Sequence, residues 1–315
     1  MKRLFLGVDT SNYTTSLALS GGGKIIKSVR KLLPVNEGEA GLRQSEVLFL
    51  HTKALPELAK ELFSSVDFSE YSLCAASASA YPRNVMGSYM PCFLSGVSFA
   101  SAVSTSHNIP FYRFSHQCGH IMAGIHSCGK NALLEDDFIS FHVSGGTTEA
   151  LYVKNKDGVF ETEIIGGTTD ASAGQIIDRA GLLLGLSFPC GKALDEISLD
   201  SREKIPVISS VKGGYFSLSG LQNKFEYYLS NGKSAPDCAD FLFRSLARAI
   251  FKSLNNLRAS YGEKPVLFVG GVMGNTVIRR ELEALKDVYF ASPELSSDNA
   301  CGTALLCERV FEKEN

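Results

Sequence analysis

The sequence predicts an α/β protein made of two similar lobes. The main observation is a repeat of an apolar strand, a small polar tip and a second strand, read as LFLGVDTSNYTTSLAL at 4–19 and FISFHVSGGTTEALYV at 138–153. Each copy continues into a third strand, near residues 24–29 and 159–165, and then into helical stretches. With 315 residues and 44% hydrophobic side chains, the chain is long enough to build two cores.

Composition limits the partners and the compartment. A formal net charge of −2 argues against coverage of nucleic acid by bulk charge, since phosphate binding is driven by Lys and Arg. Contact with RNA would need a partner or a local patch such as the basic run at 24–31, for which a solvated strand edge is the simpler explanation. The eight cysteines form no CxxC pair, and no stretch approaches the ~20 apolar residues of a membrane span. We therefore expect a cytoplasmic protein with reduced thiols and no membrane contact.

After its three strands, the first lobe is predicted to continue with a long helix. Apolar residues at helical spacing predict that helix over 44–63, and Pro56 is expected to kink it. A short apolar strand follows at 72–77. Small residues over 95–106 predict a helix suited to close packing, and residues 107–112 are predicted to return as a strand.

Two histidines, His116 and His120, stand four residues apart where the apolar segment 121–125 begins. If Ser115 caps a helix here, residues i and i+4 lie on one face and both imidazoles can reach one point. This spacing suits a metal pair, with two buried core histidines as the competing interpretation. Because two ligands seldom hold a divalent ion, the metal hypothesis needs a third group, and a carboxylate is the natural choice.

The second lobe continues after its own three strands with further helices and strands. The predicted helices cover 172–186, 238–261 and 276–285, and the predicted strands cover 266–269 and 288–291. Residues 188–192 are predicted as a tight turn, and 213–221 as a loop that enters a helix. The glycine pair Gly270-Gly271 after a buried strand would let a ligand approach the backbone. Asp298 opens the last helix, where it could equally be an ordinary N-cap residue.

Several motifs, taken together, resemble known proteins. Two repeated units, each with a tip that presents amides and hydroxyls to phosphate oxygens, resemble the superfamily of acetate and sugar kinases, heat-shock cognate chaperones and actin. That resemblance implies a nucleotide and metal cleft between two lobes. A narrower resemblance runs through nearly the whole chain, on the histidine pair, the two tips, DASAG at 170–174, GGVMGN at 270–275 and SSDN at 296–299. These motifs look like those of the TsaD family, the universal tRNA threonylcarbamoyltransferase subunits.

The resemblance to the TsaD family implies two sites. In the family a histidine pair and a terminal aspartate carry iron or zinc, which implies His116, His120 and Asp298 as metal ligands here. The family's positions for the nucleotide, ATP or an acyl-adenylate, fall on Ser144, Gly145, Gly146, Asp170, Gly174, Gly191, Asp195, Gly271 and Asn275. Physically, a carboxylate such as Asp195 suits ribose hydroxyls and Asn275 suits a base or ribose edge. The alternative for each is an ordinary turn or cap.

The chain departs from the family motifs beside the expected reacting centre. The family's T-S-C-D-E-T becomes T-S-N-Y-T-T, so Tyr13 and Thr14 replace two acidic residues. Its D-D-A-A-G-E becomes D-A-S-A-G-Q, with Ala171 and Gln175 at the lost carboxylates. Its S-G-G-H-T becomes S-G-G-T-T, and its P-G-G-P becomes P-C-G-K at 189–192. The pattern indicates a divergent paralog in which no catalytic residue, and no proton acceptor, is assigned.

Two functional hypotheses follow from these observations. The first is a metal-dependent transferase that passes the acyl group of threonylcarbamoyl-adenylate, or a related acyl-adenylate, to adenosine in tRNA. The second is a non-catalytic or altered-acceptor paralog that binds nucleotide and assembles with a smaller TsaB-like subunit or as a homodimer. A kinase or ATPase would need more acidic groups for Mg²⁺ than Asp9 supplies, and a zinc peptidase would need a glutamate where Gln117 stands.

The predicted domain boundaries follow from the repeat. An N-terminal lobe is expected over 1–113, and the last helix, 298–315, is expected to pack back on it. A C-terminal lobe is expected over 114–297 and is predicted to carry the metal and nucleotide sites.

Overall fold

The computed structural model describes residues 1–11, 13–34, 43–296 and 299–315. The chain forms two compact units, the first of residues 1–131, 155–161 and 294–315 and the second of 132–154 and 162–293. The first change of unit falls at residue 131, whereas the sequence predicts a boundary at 113. The two histidines and the last helix therefore belong to the first unit, and all nine predicted nucleotide residues belong to the second.

Strands and helices alternate along the chain. The strands are β1 (Lys2–Asp9), β2 (Thr14–Gly21), β3 (Lys24–Leu32), β4 (Tyr71–Tyr81), β5 (Phe111–Ser115), β6 (Phe138–Val143), β7 (Thr148–Lys156), β8 (Val159–Thr168), β9 (Ser210–Lys212), β10 (Tyr215–Ser217), β11 (Val266–Val269) and β12 (Val288–Phe290). The helices are α1 (Gln44–Ser64), α2 (Phe93–His107), α3 (His116–Cys128), α4 (Ala173–Leu183), α5 (Gly191–Ser198), α6 (Ser219–Ser230), α7 (Ala235–Tyr261), α8 (Thr276–Glu283), α9 (Pro293–Ser296) and α10 (Cys301–Glu314). Across the described residues, no helix combines the length and apolar character needed to cross a bilayer.

A five-stranded sheet forms the centre of the first unit, in the order β3-β2-β1-β4-β5. β1 and β2 form an antiparallel hairpin, whereas β1, β4 and β5 run parallel to one another. Parallel strands end at the same edge of a sheet, and ligands of α/β proteins commonly bind at that edge. Asp9 is the last residue of β1, Ser79 lies near the end of β4 and Ser115 ends β5, so all three residues lie at one edge of the sheet.

Helices cover both faces of this first sheet, and β1 is consequently buried from Leu4 onward. On one face, α1 and α2 supply Leu55, Leu58 and Ala100 to a core that includes alternate residues of β1. On the other face, α10 crosses β1 so closely that a Cβ at Gly7 would lie 2.3 Å from the backbone nitrogen of Ala304. The approach of α10 to the sheet therefore requires glycine at this position.

A seven-stranded sheet forms the centre of the second unit, in the order β12-β11-β6-β7-β8-β10-β9. β6 pairs antiparallel with β7 and parallel with β11, which places the β6–β7 tip beside the end of β11. The long helix α7 packs into the core of this unit. Its six predicted core side chains are all buried, namely Phe241, Leu242, Leu246, Ile250, Leu254 and Leu257.

The repeat and the α/β class predicted from the sequence are confirmed, because each sheet contains an antiparallel hairpin with a polar tip, β1–β2 and β6–β7. The strand predicted over 107–112 is wrong in its first half, since α2 continues to His107 and β5 begins at Phe111. α1 continues through Pro56 as one helix. The short elements α5, β9 and β10 were not predicted. Helix α5 begins inside 188–192, which the sequence predicts as a turn, and β10 lies inside 213–221, which it predicts as a loop.

Candidate functional site

The histidine pair lies on the first turns of α3, as the sequence predicts. The Ser115 hydroxyl caps this helix by accepting a hydrogen bond from the backbone nitrogen of Cys118 at 3.1 Å. His116 and His120 consequently stack one turn apart, and their Nε2 atoms lie 2.9 Å from each other. Two N–H groups cannot face each other at this distance, so at least one of the two nitrogens presents a lone pair.

A third side chain, Asp9, completes this cluster. Its Oδ2 accepts a hydrogen bond from His116 Nδ1 at 2.8 Å and another from the Ser79 hydroxyl, while Oδ1 accepts from the nitrogen (2.8 Å) and the hydroxyl of Ser11. Burial by itself raises the pKa of Asp9, but the charge of His116 and these hydrogen bonds outweigh it and lower the pKa overall. Asp9 is therefore a buried carboxylate that four donors surround, and one of them is His116.

Asp298, the third ligand implied by the resemblance, lies outside the described residues. Just after it, the Asn299 side-chain oxygen accepts a hydrogen bond from the Cys301 nitrogen at 3.0 Å, where α10 begins. Gly302 then packs so closely on α3 that a Cβ there would lie 1.8 Å from the Gly119 oxygen. Within the part of the chain that the structure describes, no three His, Cys, Asp or Glu side chains are arranged to hold a metal ion.

The second unit contains a cavity of 330 Å³. Six of the nine predicted nucleotide residues line it, namely Gly145, Gly174, Gly191, Asp195, Gly271 and Asn275. These six residues, which lie between positions 145 and 275, therefore surround one cavity. Glycine is the commonest residue type in its wall, which leaves backbone atoms accessible to a ligand.

One wall of the cavity is the β6–β7 tip held against the start of α4. Within the tip, the Ser144 nitrogen donates to the Thr147 oxygen at 2.7 Å, and the Gly174 nitrogen donates to the Ser144 oxygen at 3.2 Å. A Cβ at Gly174 would lie 2.4 Å from the Cα of Gly145, so the two segments touch backbone to backbone. Ser172 and Gln175 form a reciprocal capping box that starts α4 immediately beside the tip.

Another wall joins α5 to the start of α8. Asp195 Oδ1 accepts a hydrogen bond from Asn275 Nδ2 at 2.7 Å, and Asp195 Oδ2 accepts from the nitrogen and hydroxyl of Thr276 at 3.0 and 2.9 Å. Asn275 also caps α8, since its Oδ1 accepts from the Ile278 nitrogen at 2.9 Å. Both predicted polar residues therefore line the cavity and are held rigidly by each other.

Ser144, Gly146 and Asp170 do not line the cavity. Asp170 instead accepts hydrogen bonds from the Ser217 hydroxyl at 2.6 Å and from the Leu218 and Ser219 nitrogens at 2.9 and 3.1 Å. Partial burial raises the pKa of Asp170, but these donors outweigh it and hold the pKa well below its usual range. In this structure Asp170 ties the segment before α4 to the start of α6.

Sequence reasoning missed two polar residues of the cavity, Asp178 and Lys192. Asp178 Oδ1 accepts a hydrogen bond from the Cys190 nitrogen at 2.8 Å. Burial raises the pKa of Asp178, and that hydrogen bond offsets part of the rise. Of the described residues that line the cavity Lys192 is the one cation, and no other described residue forms a hydrogen bond or ion pair with its amine. The sequence did contain a signal for Lys192, because a lysine stands there in place of the last proline of the family's P-G-G-P.

Comparison with known proteins identifies the family. The sequence profile described as TsaD, tRNA N6-adenosine threonylcarbamoyltransferase, matches residues 45–305. The chain belongs to the TsaD family. A tRNA N6-adenosine threonylcarbamoyltransferase of Thermotoga neapolitana is 30% identical over 308 residues, which cover 94% of this chain and 90% of that protein. A Thermus thermophilus protein of the same description is 28% identical over 317 residues, which cover 98% of this chain and 93% of the relative.

Solved structures of proteins with other descriptions share the fold at low sequence identity. Component A of the (R)-2-hydroxyglutaryl-CoA dehydratase of Acidaminococcus fermentans has a TM-score of 0.57 at 17% identity, with 99% of each chain covered. Full-length HypF in a phosphate- and nucleotide-bound form has a TM-score of 0.61 at 14% identity, covering 98% of this chain and 46% of HypF. A ROK family glucokinase of Streptomyces griseus has a TM-score of 0.51 at 14% identity, with 97% of this chain and 99% of the kinase covered. These likenesses confirm the predicted fold.

The positions where this chain departs from the TsaD motifs carry structural contacts. The Tyr13 carbonyl accepts a hydrogen bond from the Leu33 nitrogen at 2.7 Å, and Thr14 begins β2. Gln175 supplies the side chain of the capping box at the start of α4, and Ala171 packs against the apolar core of the second unit. Of these four residues, Gln175 and Ala171 therefore serve the local fold through their side chains, and Tyr13 does so through its backbone.

Proposed function

We propose that this chain transfers a threonylcarbamoyl group, or a related acyl group, from its adenylate to adenosine in tRNA. In that transfer the exocyclic amine of adenosine forms a C–N bond with the carbamoyl carbon, the C–O bond to phosphate breaks, AMP leaves and the amine loses one proton. Membership of the TsaD family supports the reaction class. The single observation that carries the proposal for this chain is the cavity of the second unit, lined by six positions that the family resemblance implies.

The composition of the cavity wall supports an adenylate as the ligand. Its volume of 330 Å³ lies within the range of small-molecule pockets, which is about 300–1,000 Å³. Ile177, Phe243 and Val272 offer apolar surface for a base. Asp195 and Asn275 offer polar atoms for ribose or base edges, and the Lys192 amine offers a positive charge for the phosphate.

A divalent ion, iron or zinc, is the proposed cofactor in the first unit. Two imidazole nitrogens with a carboxylate form a donor set that both metals accept, so His116 and His120 would hold the ion together with Asp298. Their Nε2 separation of 2.9 Å supports the fit, since two nitrogens bound to one tetrahedral zinc lie roughly 3.3 Å apart. Such an ion supplies a Lewis acid that polarises the carbamoyl group or holds the threonyl carboxylate.

The chain's own residues account for binding and orientation in this proposal. The hydrogen bonds of Asp195 with Asn275 and Thr276 fix the polar wall before a ligand arrives, which lowers the ordering cost of binding. The backbone contact between Gly145 and Gly174 does the same for the tip. No group is assigned to accept the proton of the adenosine amine, because Tyr13, Thr14, Ala171 and Gln175 occupy the acidic positions of the family.

The test measures metal content, nucleotide binding and tRNA modification on the same samples. The wild-type protein is expected to retain about one iron or zinc ion per chain. It is also expected to bind ATP and to form the modified nucleoside in tRNA, detected by mass spectrometry. The double variant His116→Ala with His120→Ala is expected to lose the metal and the product but to keep its ATP affinity, because the cavity is unchanged. His126→Ala, on the same helix, is the matched control and is expected to retain all three properties.

The outcomes separate the hypotheses. Wild-type protein that retains neither metal and binds neither ATP nor an acyl-adenylate would overturn the proposal. Metal and nucleotide binding without modified tRNA would indicate that the acceptor has changed. The cytoplasmic location is part of the proposal, and the scattered cysteines without a CxxC pair support it.

A second candidate function is assembly with a smaller TsaB-like subunit, or as a homodimer. The small residues of α2 that suggested a docking face are used inside the protein, since Gly96 and Ala100 are buried in the first unit. The surface that favours a partner lies beside them, where Phe49 of α1 and Leu94 of α2 are 64% and 45% exposed. A hydrogen bond of 3.0 Å from the Ser95 hydroxyl to the Leu48 oxygen holds the two helices together there.

Sedimentation measurements on the purified chain test this second function. Phe49→Ser with Leu94→Ser is expected to convert a dimer or a mixed complex into monomers without changing metal content or ATP affinity. Unchanged assembly in that double variant would exclude this surface as the interface. Exposed Leu199→Ser, in the second unit, serves as the control for a general change of surface hydrophobicity.

A further inference from the structure

We infer that Asp9 is a positioning residue for His116. Its carboxylate holds the proton of the imidazole on Nδ1 and directs Nε2 toward His120 and the proposed metal. This inference rests on the metal site of the proposed function, and its first test does not need the metal. Neither the spacing of the histidines nor the family motifs indicated this role.

The first step is that Asp9 has no acceptor position left for an ion. Oδ1 takes two donors from Ser11, and Oδ2 takes the Ser79 hydroxyl and His116 Nδ1. A carboxylate offers about four lone-pair sites, so all of them are used. Asp9 therefore acts on the ring of His116 and leaves direct ligation to the histidines.

The second step fixes the proton. Three lone-pair sites of Asp9 already take the Ser11 nitrogen and the Ser11 and Ser79 hydroxyls, so the fourth accepts from His116, whose Nδ1 must be the donor at 2.8 Å. In the neutral ring Nε2 then carries the lone pair, and it lies 2.9 Å from Nε2 of His120. Carboxylates that orient a metal-binding histidine in this way are common, and their loss typically lowers metal affinity 10–100-fold.

The third step is that the carboxylate cannot turn away. Asp9 is 1% exposed at the end of a central strand, and Ser79 Oγ also lies 3.2 Å from Thr303 Oγ1 of α10. A Cβ at Gly119 of α3 would lie 3.1 Å from the same Thr303 hydroxyl oxygen. The network thus joins β1, β4, α3 and α10 around one carboxylate, which holds the ring of His116 in one orientation.

The substitution Asp9→Asn reverses the hydrogen bond. The Ser11 backbone nitrogen can only donate, so the amide oxygen of the new side chain must occupy the position of Oδ1. The amide NH₂ then faces His116, whose Nδ1 must accept. We expect the imidazole to move its proton to Nε2, which removes the lone pair from the side of His120.

The first experiment is ¹⁵N NMR of the histidine rings in metal-free protein, at a pH where the rings are neutral, with His116 assigned from His116→Gln. Wild type is expected to show the Nδ1–H form at His116, and Asp9→Asn the Nε2–H form. Ser79→Ala removes a donor from the same oxygen but leaves the acceptor for His116, so it is expected to keep the wild-type form. An Nε2–H form in wild type would overturn the inference, even if Asp9→Asn does not fold.

The second experiment measures Zn²⁺ affinity by competition with a chelator. Asp9→Asn is expected to bind Zn²⁺ about 10–100-fold more weakly than wild type, and Ser79→Ala within about threefold. A wild-type tautomer at His116 in Asp9→Asn, with affinity within twofold, would overturn the inference. Wild type that does not bind Zn²⁺ would count against the proposed metal, while the tautomer measurement would still decide the role of Asp9.

Discussion

The first unit builds its candidate site from side chains, whereas the second builds its cavity from their absence. Around His116, specific donor and acceptor pairs hold the described side chains, and Asp9 alone accepts four hydrogen bonds. Around the cavity, glycines at 145, 174, 191, 271 and 274 expose backbone and leave space. A lost side chain should therefore break hydrogen bonds in the first site, and an added methyl group should occupy space in the cavity of the second. The following predictions test packing, binding and charge in the two units, from the largest effect to the smallest.

The largest effect is expected from Gly302→Ala. A methyl group there would lie 1.8 Å from the Gly119 oxygen, so α10 must move away from α3. We expect a loss of about 3 kcal/mol in the free energy of unfolding and a loss of metal, because overpacking typically costs 1–3 kcal/mol and this contact involves backbone. Urea unfolding and metal analysis measure the two effects. Gly220→Ala, in α6 with open space around it, is the control and should retain wild-type stability or exceed it.

The pair Gly174→Ala and Gly145→Ala should separate stability from ligand binding in the second unit. A methyl group at Gly174 would lie 2.4 Å from the Gly145 Cα, so we expect a loss of about 2 kcal/mol in unfolding free energy. A methyl group at Gly145 meets nothing within 4 Å, so it should leave stability unchanged but reduce ATP affinity by occupying the cavity. Thermal unfolding and calorimetric titration with ATP measure the pair. Equal stability in both variants would contradict the described contact.

Lys192→Gln should reveal whether the cavity binds a phosphate. Removing the one cation among the described lining residues is expected to weaken the binding of AMP and ATP about tenfold at low salt. A charge-assisted hydrogen bond contributes about 1.5 kcal/mol, which corresponds to that factor. Adenosine affinity should not change. Fluorescence or calorimetric titrations with the three ligands make the measurement, and Lys252→Gln is the matched control. If the affinity for adenosine falls by the same factor, Lys192 shapes the cavity and does not bind the phosphate.

Asp170→Asn should have the smallest effect, and it should depend on pH. Because the pKa of folded Asp170 is depressed, its contribution is present above the ordinary aspartate pKa of about 4 and is lost as the pH falls below it. We expect the variant to be about 1 kcal/mol less stable at neutral pH, a figure reduced for its exposure, and the gap to shrink in acid. ATP affinity should change less than twofold, since the Leu218 and Ser219 nitrogens at the start of α6 already occupy both carboxylate oxygens of Asp170. A gap that widens in acid would contradict this assignment.

Features that depend on neighbouring residues along the chain could be predicted from the sequence. The strand, tip and strand units, the cap at Ser115 and the stacking of His116 on His120 all follow from short-range periodicity and capping, and the structure has them. Asp9 could not be connected with His116 in this way. Their contact depends on β1, β4 and β5 lying parallel in one sheet, which is a tertiary fact that spacing along the chain does not contain.

The cavity likewise shows what sequence motifs do not predict. Family motifs indicated nine positions, but Asp170 turned toward α6 because three donors there satisfy its charge better than an open cavity. Lys192 lies in the wall because α5 begins at Gly191, where the sequence predicts only a turn. Asp178 lies in the wall from α4, where it accepts a hydrogen bond from the Cys190 nitrogen. Six of the nine motif positions therefore lie around the cavity, and the competition between neighbouring hydrogen bonds decides which side chains face it.

The hydrogen bonds around Asp9 also bear on how the proposed ion would be acquired. Ser11, Ser79 and His116 occupy all four lone-pair sites of the buried carboxylate, so Asp9 depends on protein donors for its place in the fold. Folding and loading of the proposed metal would then be separate events, unlike in zinc fingers, where the ion holds the fold. Under the proposal, a chelator should remove the ion and leave a folded protein that binds metal again when it is returned. Such a centre would exchange its metal during the life of one molecule, and the supply of iron or zinc would decide which ion it holds.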